Sequence, residues 1–361
     1  MTDFTILHGG QLRGIADRFE IPASDILDFS ANIHPEGSPS AVVSRLRASL
    51  GDPAMLIDYP DLDETDLRQS LAQYADVQPE NVAVANGFVP LLDAALRVLP
   101  IRRCLVPVPA FVEYRRTLER SQAEMIPLAV SGDSDFRYEA DDLLSGSQDA
   151  VLLANPQNPS GVASSRDMLL TLVKEALARN IYILLDEAFI DYYSEASLSH
   201  EVIAFPNLIV FRSVTKFFGM AGLRVAYALA NAGLCRRIQE AIAPWSITTL
   251  ASMAARIAVE DEAYAERTIR LNEDRRNAMR AAMERLGIYV YPSAANFLLL
   301  RLPDAVDCRR LWENLIRKHR IVLRHCANYE SLSDRHLRAA VRTDTENERL
   351  IEALAREIGK I

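Results

Sequence analysis

Between residues 82 and 229 short apolar runs alternate with amphipathic stretches. The runs are Val82 to Ala85, Cys104 to Val108, Ala150 to Ala154, Ile181 to Leu185, Leu208 to Phe211 and Val225 to Leu229. Between several of them apolar residues recur at helical spacing, as at Leu91 to Val98 and Met168 to Ala178. A short run that is apolar throughout, rather than at alternate positions, predicts a strand covered on both faces. Such strands separated by helices predict a mostly parallel sheet. In a sheet of this kind ligands bind beyond the carboxyl ends of the strands.

The flanks follow a different pattern. The segment His8 to Gln11 reads HGGQ and leads into a short helical pattern that ends near a turn at Ile21 to Ser24. Leu27, Phe29 and Ala31 alternate like a short strand, and His34-Pro35-Glu36-Gly37 reads as a turn. A helix is predicted from Ser38 to Leu50 with Pro39 in its first turn. Another is capped by Asp63, with Leu67, Leu71 and Tyr74 at helical spacing. Beyond Pro244 a long helical stretch from Thr248 to Leu286 contains neither glycine nor proline. Strands are then predicted at Tyr289 to Tyr291, Asn296 to Arg301, Ile321 to His325 and Leu337 to Arg342, with helices at Cys308 to Lys318 and Glu346 to Ile358. The expected organisation is a large α/β domain at residues 38–270 and a smaller α+β domain built from both chain ends, 1–37 and 271–361.

Composition narrows the classes. The chain has 361 residues, 49% of them apolar, enough for a sizeable core. A net charge of −9 and a pI near 5.3 argue against nucleic acid as a partner. Cys104, Cys235, Cys308 and Cys326 are scattered, without the Cys or His spacing of a zinc site, so no metal is expected and a reduced setting fits. No basic segment precedes an apolar one at the N-terminus, and no apolar run approaches membrane-spanning length. A cytoplasmic protein without a membrane partner is expected.

The candidate chemistry centres on RSVTKFFGMAGLR, Arg212 to Arg224. Lys216 lies where a strand gives way to a loop, beside Phe217 and Phe218, whereas Lys174, Lys318 and Lys360 read as solvated cations. Partial desolvation favours a neutral, nucleophilic amine. Ser213, Thr215 and Arg224 suit a phosphate. An aldehyde with a phosphate handle, pyridoxal phosphate, matches both features. Taken alone, the stretch fits a chance loop lysine equally well. Two further features end apolar runs upstream: Asn158 in NPQNPSG and Asp186 in LLDEAFIDY, with Asn158, Asp186 and Lys216 successively about 30 residues apart, roughly one βαβ crossover each. Asp186 is suited to pair with a pyridinium nitrogen, Asn158 to donate to the phenolic oxygen, and Phe111, in PVPAFVEYRR, to stack on the ring. Gly9 and Gly10 allow backbone N–H groups to approach an anion.

NPQNPSG, DEAF and SVTK followed by GLR together resemble the fold-type I pyridoxal phosphate enzymes of the class I/II aminotransferase superfamily, over nearly the whole chain. Within it, HGG, LDFSANIHP, DEAFIDY, APWSI, the run Arg324 to Tyr329 and the tail HLRAAVRTDTENERL look like the threonine-phosphate decarboxylases of cobalamin biosynthesis. Histidinol-phosphate aminotransferases are the close relatives, usually with tyrosine in place of Phe189. The resemblance implies that Lys216 carries the cofactor, that Asp186 and Asn158 contact its ring, and that Ser213, Thr215 and Arg224 hold its phosphate. It also implies that Tyr59 reaches the cofactor phosphate of a second subunit, hence a homodimer. Arg338 is expected to hold a substrate carboxylate. Arg324, Asn32 and the loop His8-Gly9-Gly10 would hold the phosphate of the substrate or part of its carboxylate. The implied activity is decarboxylation of L-threonine O-3-phosphate, a small anionic phosphorylated amino acid, to 1-amino-2-propanol O-2-phosphate. Transamination of histidinol phosphate or a related amino acid is the alternative, and a non-catalytic cofactor-binding protein a further one. The chain departs from the family pattern at ANGFVP, Ala85 to Pro90, where Gly-Asn-Gly followed by a small or hydroxyl residue and a glutamate is usual. Backbone N–H groups of Gly87 and Phe88 still offer a phosphate cradle at a helix N-terminus. His34 stands where asparagine is more usual.

Overall fold

A computed structural model describes residues 8–359. Its main sheet has seven strands: β1 (Val82–Ala85), β2 (Arg103–Val108), β3 (Glu124–Ala129), β4 (Ala150–Ala154), β5 (Tyr182–Asp186), β6 (Leu208–Ser213) and β7 (Ala226–Leu229). Their order is β1-β7-β6-β5-β4-β2-β3, and β7 alone runs against the others. Successive side chains enter different cores. Ile183 and Leu185 join one apolar cluster, while Leu184 joins the cluster on the other side of the sheet. Each fully buried aliphatic side chain stabilises by roughly 1.5–3 kcal/mol, more than the ~1 kcal/mol span of intrinsic strand preference. Two-sided burial therefore decides these strands. The six predicted runs all appear.

The edge strand β3 is absent from the sequence reading. It contains Pro127 and leaves Glu124, Pro127 and Ala129 more solvent-accessible than the central strands. Proline lacks the ladder donor and is confined to such edges. The predicted helical stretch from Thr248 to Leu286 forms in two pieces, Thr249–Val259 and Glu262–Glu284. The break lies where the side chain of Asp261 accepts from the Tyr264 N–H at 3.0 Å and starts the second helix.

A second sheet has four antiparallel strands in the order Arg324–His325, His336–Ala340, Phe297–Arg301, Tyr289–Val290. The strand expected through Ala31 is only Leu27–Asp28, paired in parallel with Ile321–Val322, and the chain then loops toward the main sheet. The run expected from Ile321 to His325 is divided between these two sheets. The core here draws on both chain ends: Ile15, Phe19 and Phe29 pack in one cluster with Leu298, Trp312 and Leu350.

His34 ties these parts together. Its backbone N–H donates to the Lys216 carbonyl at 3.0 Å, and its Nδ1 accepts from the Glu36 N–H at 3.1 Å. Nε2 lies 3.0 Å from Thr268 Oγ1 on the long helix, so the neutral ring is a donor there. Burial lowers the His34 pKa to about 4; Glu36 opposes this, while Arg275 and Arg267 add to it. The unfolded chain takes up this proton near its ordinary value of 6.5, before the folded chain does. The stabilisation is therefore full above that value and lost as pH falls toward 4, by at most roughly 3 kcal/mol. Urea denaturation across this range is expected to show a steeper loss of stability on acidification for the wild type than for His34→Asn.

Candidate active site

The carboxyl ends of the central strands and the loop at residues 30–33 enclose a cavity of about 420 Å³. Lys216 enters it just after β6, its Nζ 5.2 Å from the centroid of the Phe189 ring. Burial pushes its pKa below the ordinary lysine value; Asp186 opposes this, and Arg224 and Arg338 add to it. The amine is thereby shifted toward its nucleophilic, neutral form.

Asp186 closes β5 and lies beneath the cavity. Tyr114 Oη donates to its Oδ2 at 2.6 Å, and the Ala188 N–H donates to Oδ1 at 2.9 Å. Burial raises its pKa, against the Tyr114 hydrogen bond and the charge of Lys216. A desolvated carboxylate is stabilised by a cation brought next to it, which a protonated pyridine nitrogen supplies. The adjoining residues hold these strand ends in place. Glu187 accepts from the Leu198 N–H and from Ser197 Oγ, each at 2.7 Å, and the buried Arg212 pairs with the buried Asp191.

Ser213 and Thr215 bring their hydroxyls within 2.7 Å of each other. Arg224, in the left-handed region at φ 59°, lies against Gly87. A Cβ at Gly87 would meet its guanidinium nitrogen at 2.7 Å, and Gly87 itself has φ 121°. The helix Phe88–Val98 starts here without a side-chain cap, leaving first-turn N–H groups for an anion. Two hydroxyls, a guanidinium and a helix N-terminus together fit a phosphate ester. The ANGFVP departure has a packing cause: the Phe88 ring lies 5.7 Å from Tyr114 and 5.3 Å from Phe211, extending an aromatic cluster that includes Phe111.

On the opposite side, buried Arg338 donates through Nη1 to Asn158 Oδ1 and through Nη2 to the Ser30 carbonyl at 3.0 Å. Because arginine only donates, Asn158 presents Oδ1 to it, and its Nδ2 hydrogens remain for an acceptor such as the phenolic oxygen of the cofactor. Arg324 sits directly across the sheet from Arg338. It donates to Asn328 Oδ1 at 2.8 Å and lies 5.1 Å from the Tyr329 ring centroid. Asn32 Oδ1 and Arg338 Nε are buried with no hydrogen-bond partner among the described residues, as expected of groups that meet a polar ligand.

The cavity thus gathers Lys216, Asn158, Phe111, Ser213, Thr215, Arg224, Gly87, Phe88, His8, Gly9, Asn32 and Arg338. Asp186 lies below it, and Arg324 adjoins it through Tyr329. Gly10 is pinned beside it, its N–H donating to Ser30 Oγ at 2.9 Å. Tyr59 is elsewhere: it is exposed on the surface, 4.7 Å from the Trp245 ring. Sequence reasoning missed Tyr114, Tyr329, Ser30 and Glu113 as site residues. Tyr114 was within reach, since it lies three positions after Phe111 on the first turn of the helix Val112–Arg120. Ser30 and Glu113 carry no local signal.

Residues 24–354 match the family model Aminotransferase class I and II, and the chain belongs to that family. It is a pyridoxal phosphate-dependent enzyme, a decarboxylase or an aminotransferase. The threonine-phosphate decarboxylase of Salmonella typhimurium is 33% identical, the match covering 98% of this chain and 97% of that protein. The histidinol-phosphate aminotransferase of Methanosarcina mazei is 28% identical over 98% of this chain and 93% of its own length. Among solved structures, the histidinol-phosphate aminotransferase of Clostridium acetobutylicum superposes with a TM-score of 0.87 at 26% identity, over 93% of this chain and 100% of that one.

Replacing Lys216 with alanine is expected to leave the fold intact and to abolish both turnover and the visible absorbance of covalently held cofactor. Borohydride reduction followed by peptide mapping checks the attachment: the wild type should be labelled at residue 216 and the variant nowhere.

Proposed function

We propose that this protein decarboxylates L-threonine O-3-phosphate to 1-amino-2-propanol O-2-phosphate, a step of cobalamin side-chain precursor synthesis. The observation that carries this reading is a second anion-binding wall, apart from the phosphate cup: Arg338, the adjoining Arg324, Asn32 and the His8 arm. A substrate with both carboxylate and phosphate matches it, and the 33% identity to a threonine-phosphate decarboxylase points the same way.

Pyridoxal phosphate, when bound, supplies an electron-accepting ring for the electron pair of whichever Cα bond stands perpendicular to it. The residues of the chain select that bond. Asp186 would keep a positive charge at the ring nitrogen, and Phe111 and Asn158 would hold the ring face and its phenolic oxygen. Arg338 would hold the substrate carboxylate through charge-assisted hydrogen bonds, the contact that would favour loss of that group as CO₂. Lys216 Nζ would return a proton to Cα, and the amine product would leave. Phe189 offers no hydroxyl to this amine.

The close overlay with a histidinol-phosphate aminotransferase, TM-score 0.87, keeps transamination as the second reading. In that case Lys216 would move the Cα proton instead. Incubation with threonine phosphate, serine phosphate and histidinol phosphate separates the two: release of CO₂ and a phosphorylated amino alcohol is expected, and formation of a keto or aldehyde product would establish the transaminase. Arg338→Ala is expected to lower kcat/KM about 10- to 100-fold, since it removes charge-assisted bonds to the carboxylate.

The assembly proposed is a homodimer in the cytoplasm. Leu56, Ile57, Tyr59, Leu62 and Trp245 are large and exposed, an apolar surface suited to a second copy whose cofactor phosphate Tyr59 would reach. Among the described residues no helix is long and apolar enough to cross a membrane, and the four cysteines are free and buried. Light scattering should give twice the chain mass, and Tyr59→Phe should raise the cofactor dissociation constant without changing that mass.

A further inference from the structure

Among the described residues that line the cavity Glu113 is the one carboxylate, in a wall otherwise charged by Lys216, Arg224 and Arg338. It stands in the first turn of the helix Val112–Arg120, where the helix dipole favours an anion, and its Oε1 accepts from Arg116 Nη1 at 2.9 Å. The same oxygen lies 3.1 Å from His8 Nε2. The His8 ring in turn meets the edge of Phe111 at 6.1 Å. The arm behind His8 is held at a second point. The Gly10 N–H donates to Ser30 Oγ, and Ser30 Oγ donates to Asp28 Oδ1 at 2.6 Å. A Cβ at Gly9 would lie 2.0 Å from the Ser30 carbonyl oxygen, so the arm passes this closely only as glycine.

We infer that Glu113 is a positioning residue for substrate selection: it holds the His8 ring at the cavity mouth by one nitrogen so that the other is presented to the phosphate of the substrate. The inference rests on the reading of the His8 arm as a phosphate-binding element. An imidazole fixed through Nε2 has Nδ1 left over, and in the imidazolium form both nitrogens donate. A carboxylate behind the ring fixes which nitrogen faces it. A phosphate seated on the far side of the ring would complete a carboxylate–imidazolium–phosphate series, in which both ring nitrogens donate. Glu113 thus acts through His8 and not on the reacting atoms.

The test uses the holoenzyme and the variants Glu113→Gln, His8→Gln and the pair together. Phosphothreonine and threonine are titrated against the visible absorbance of the bound cofactor, alongside steady-state kinetics. Glu113→Gln should weaken phosphothreonine binding and raise its KM roughly tenfold, the size of one charge-assisted hydrogen bond. Threonine affinity, cofactor affinity and kcat should stay within about a factor of two. The double variant should be no worse than His8→Gln alone, because both act through one interaction. Equal weakening of both amino acids by Glu113→Gln, or multiplied losses in the double variant, would overturn the inference. A wild type that binds phosphothreonine no better than threonine would instead remove the substrate reading itself, and that is seen before any variant is made.

Discussion

Burial of an amine beside two guanidinium groups is the constraint on which the rest of this molecule depends. Lys216 lies within reach of the charges of Arg224 and Arg338, which Asp186, at the foot of the cavity, and to a smaller extent Asp191 oppose. In water such a grouping would be screened; in a partly desolvated cleft the repulsion persists, and it favours the neutral amine and the binding of anions. A cofactor that brings a phosphate relieves part of the excess of positive charge, and the phosphorylated substrate proposed above would relieve more. The empty protein and the chemistry proposed for it are thus linked by charge balance.

The fold concentrates these groups at one edge. Parallel strands β4, β5 and β6 end in register, so Asp186 at the end of β5 pairs with Ala154 and Phe211 on its neighbours, and the turns that follow carry Asn158 and Lys216 to the same level. Holding three polar strand ends in an apolar sheet requires polar support beneath them. Glu187 with Ser197 and the Leu198 N–H, and Arg212 with Asp191, provide it within the main sheet. Removing one member of such a buried pair leaves an uncompensated charge, which costs far more than an exposed ion pair contributes.

The second sheet completes the site from the other side. Arg338 lies at the centre of that sheet, yet its guanidinium bonds Asn158 of the main-sheet turn and the Ser30 carbonyl of the N-terminal loop. One side chain thereby joins three segments that are distant in sequence. His34 makes a similar connection between the Lys216 loop and the long helix. The placing of Arg338 at the cavity therefore depends on how the two sheets meet.

By itself the amino-acid sequence determined six strands of the main sheet, because burial on both faces requires unbroken apolar runs; it marked Asn158, Asp186 and Lys216, because each follows such a run at a crossover spacing, and Arg224 as a guanidinium near Lys216 suited to a phosphate. It did not reveal β3, whose stability comes from edge pairing around Pro127, nor the break at Asp261, where one capping hydrogen bond outweighs a helix-favouring composition. The hydrogen bond from Tyr114 to Asp186, the Arg324 and Arg338 pairing, the aromatic role of Phe88 and the contact between His8 and Glu113 were decided only by tertiary structure. Each depends on a distance between residues far apart in the chain or on a side-chain direction, and local periodicity carries no information about either.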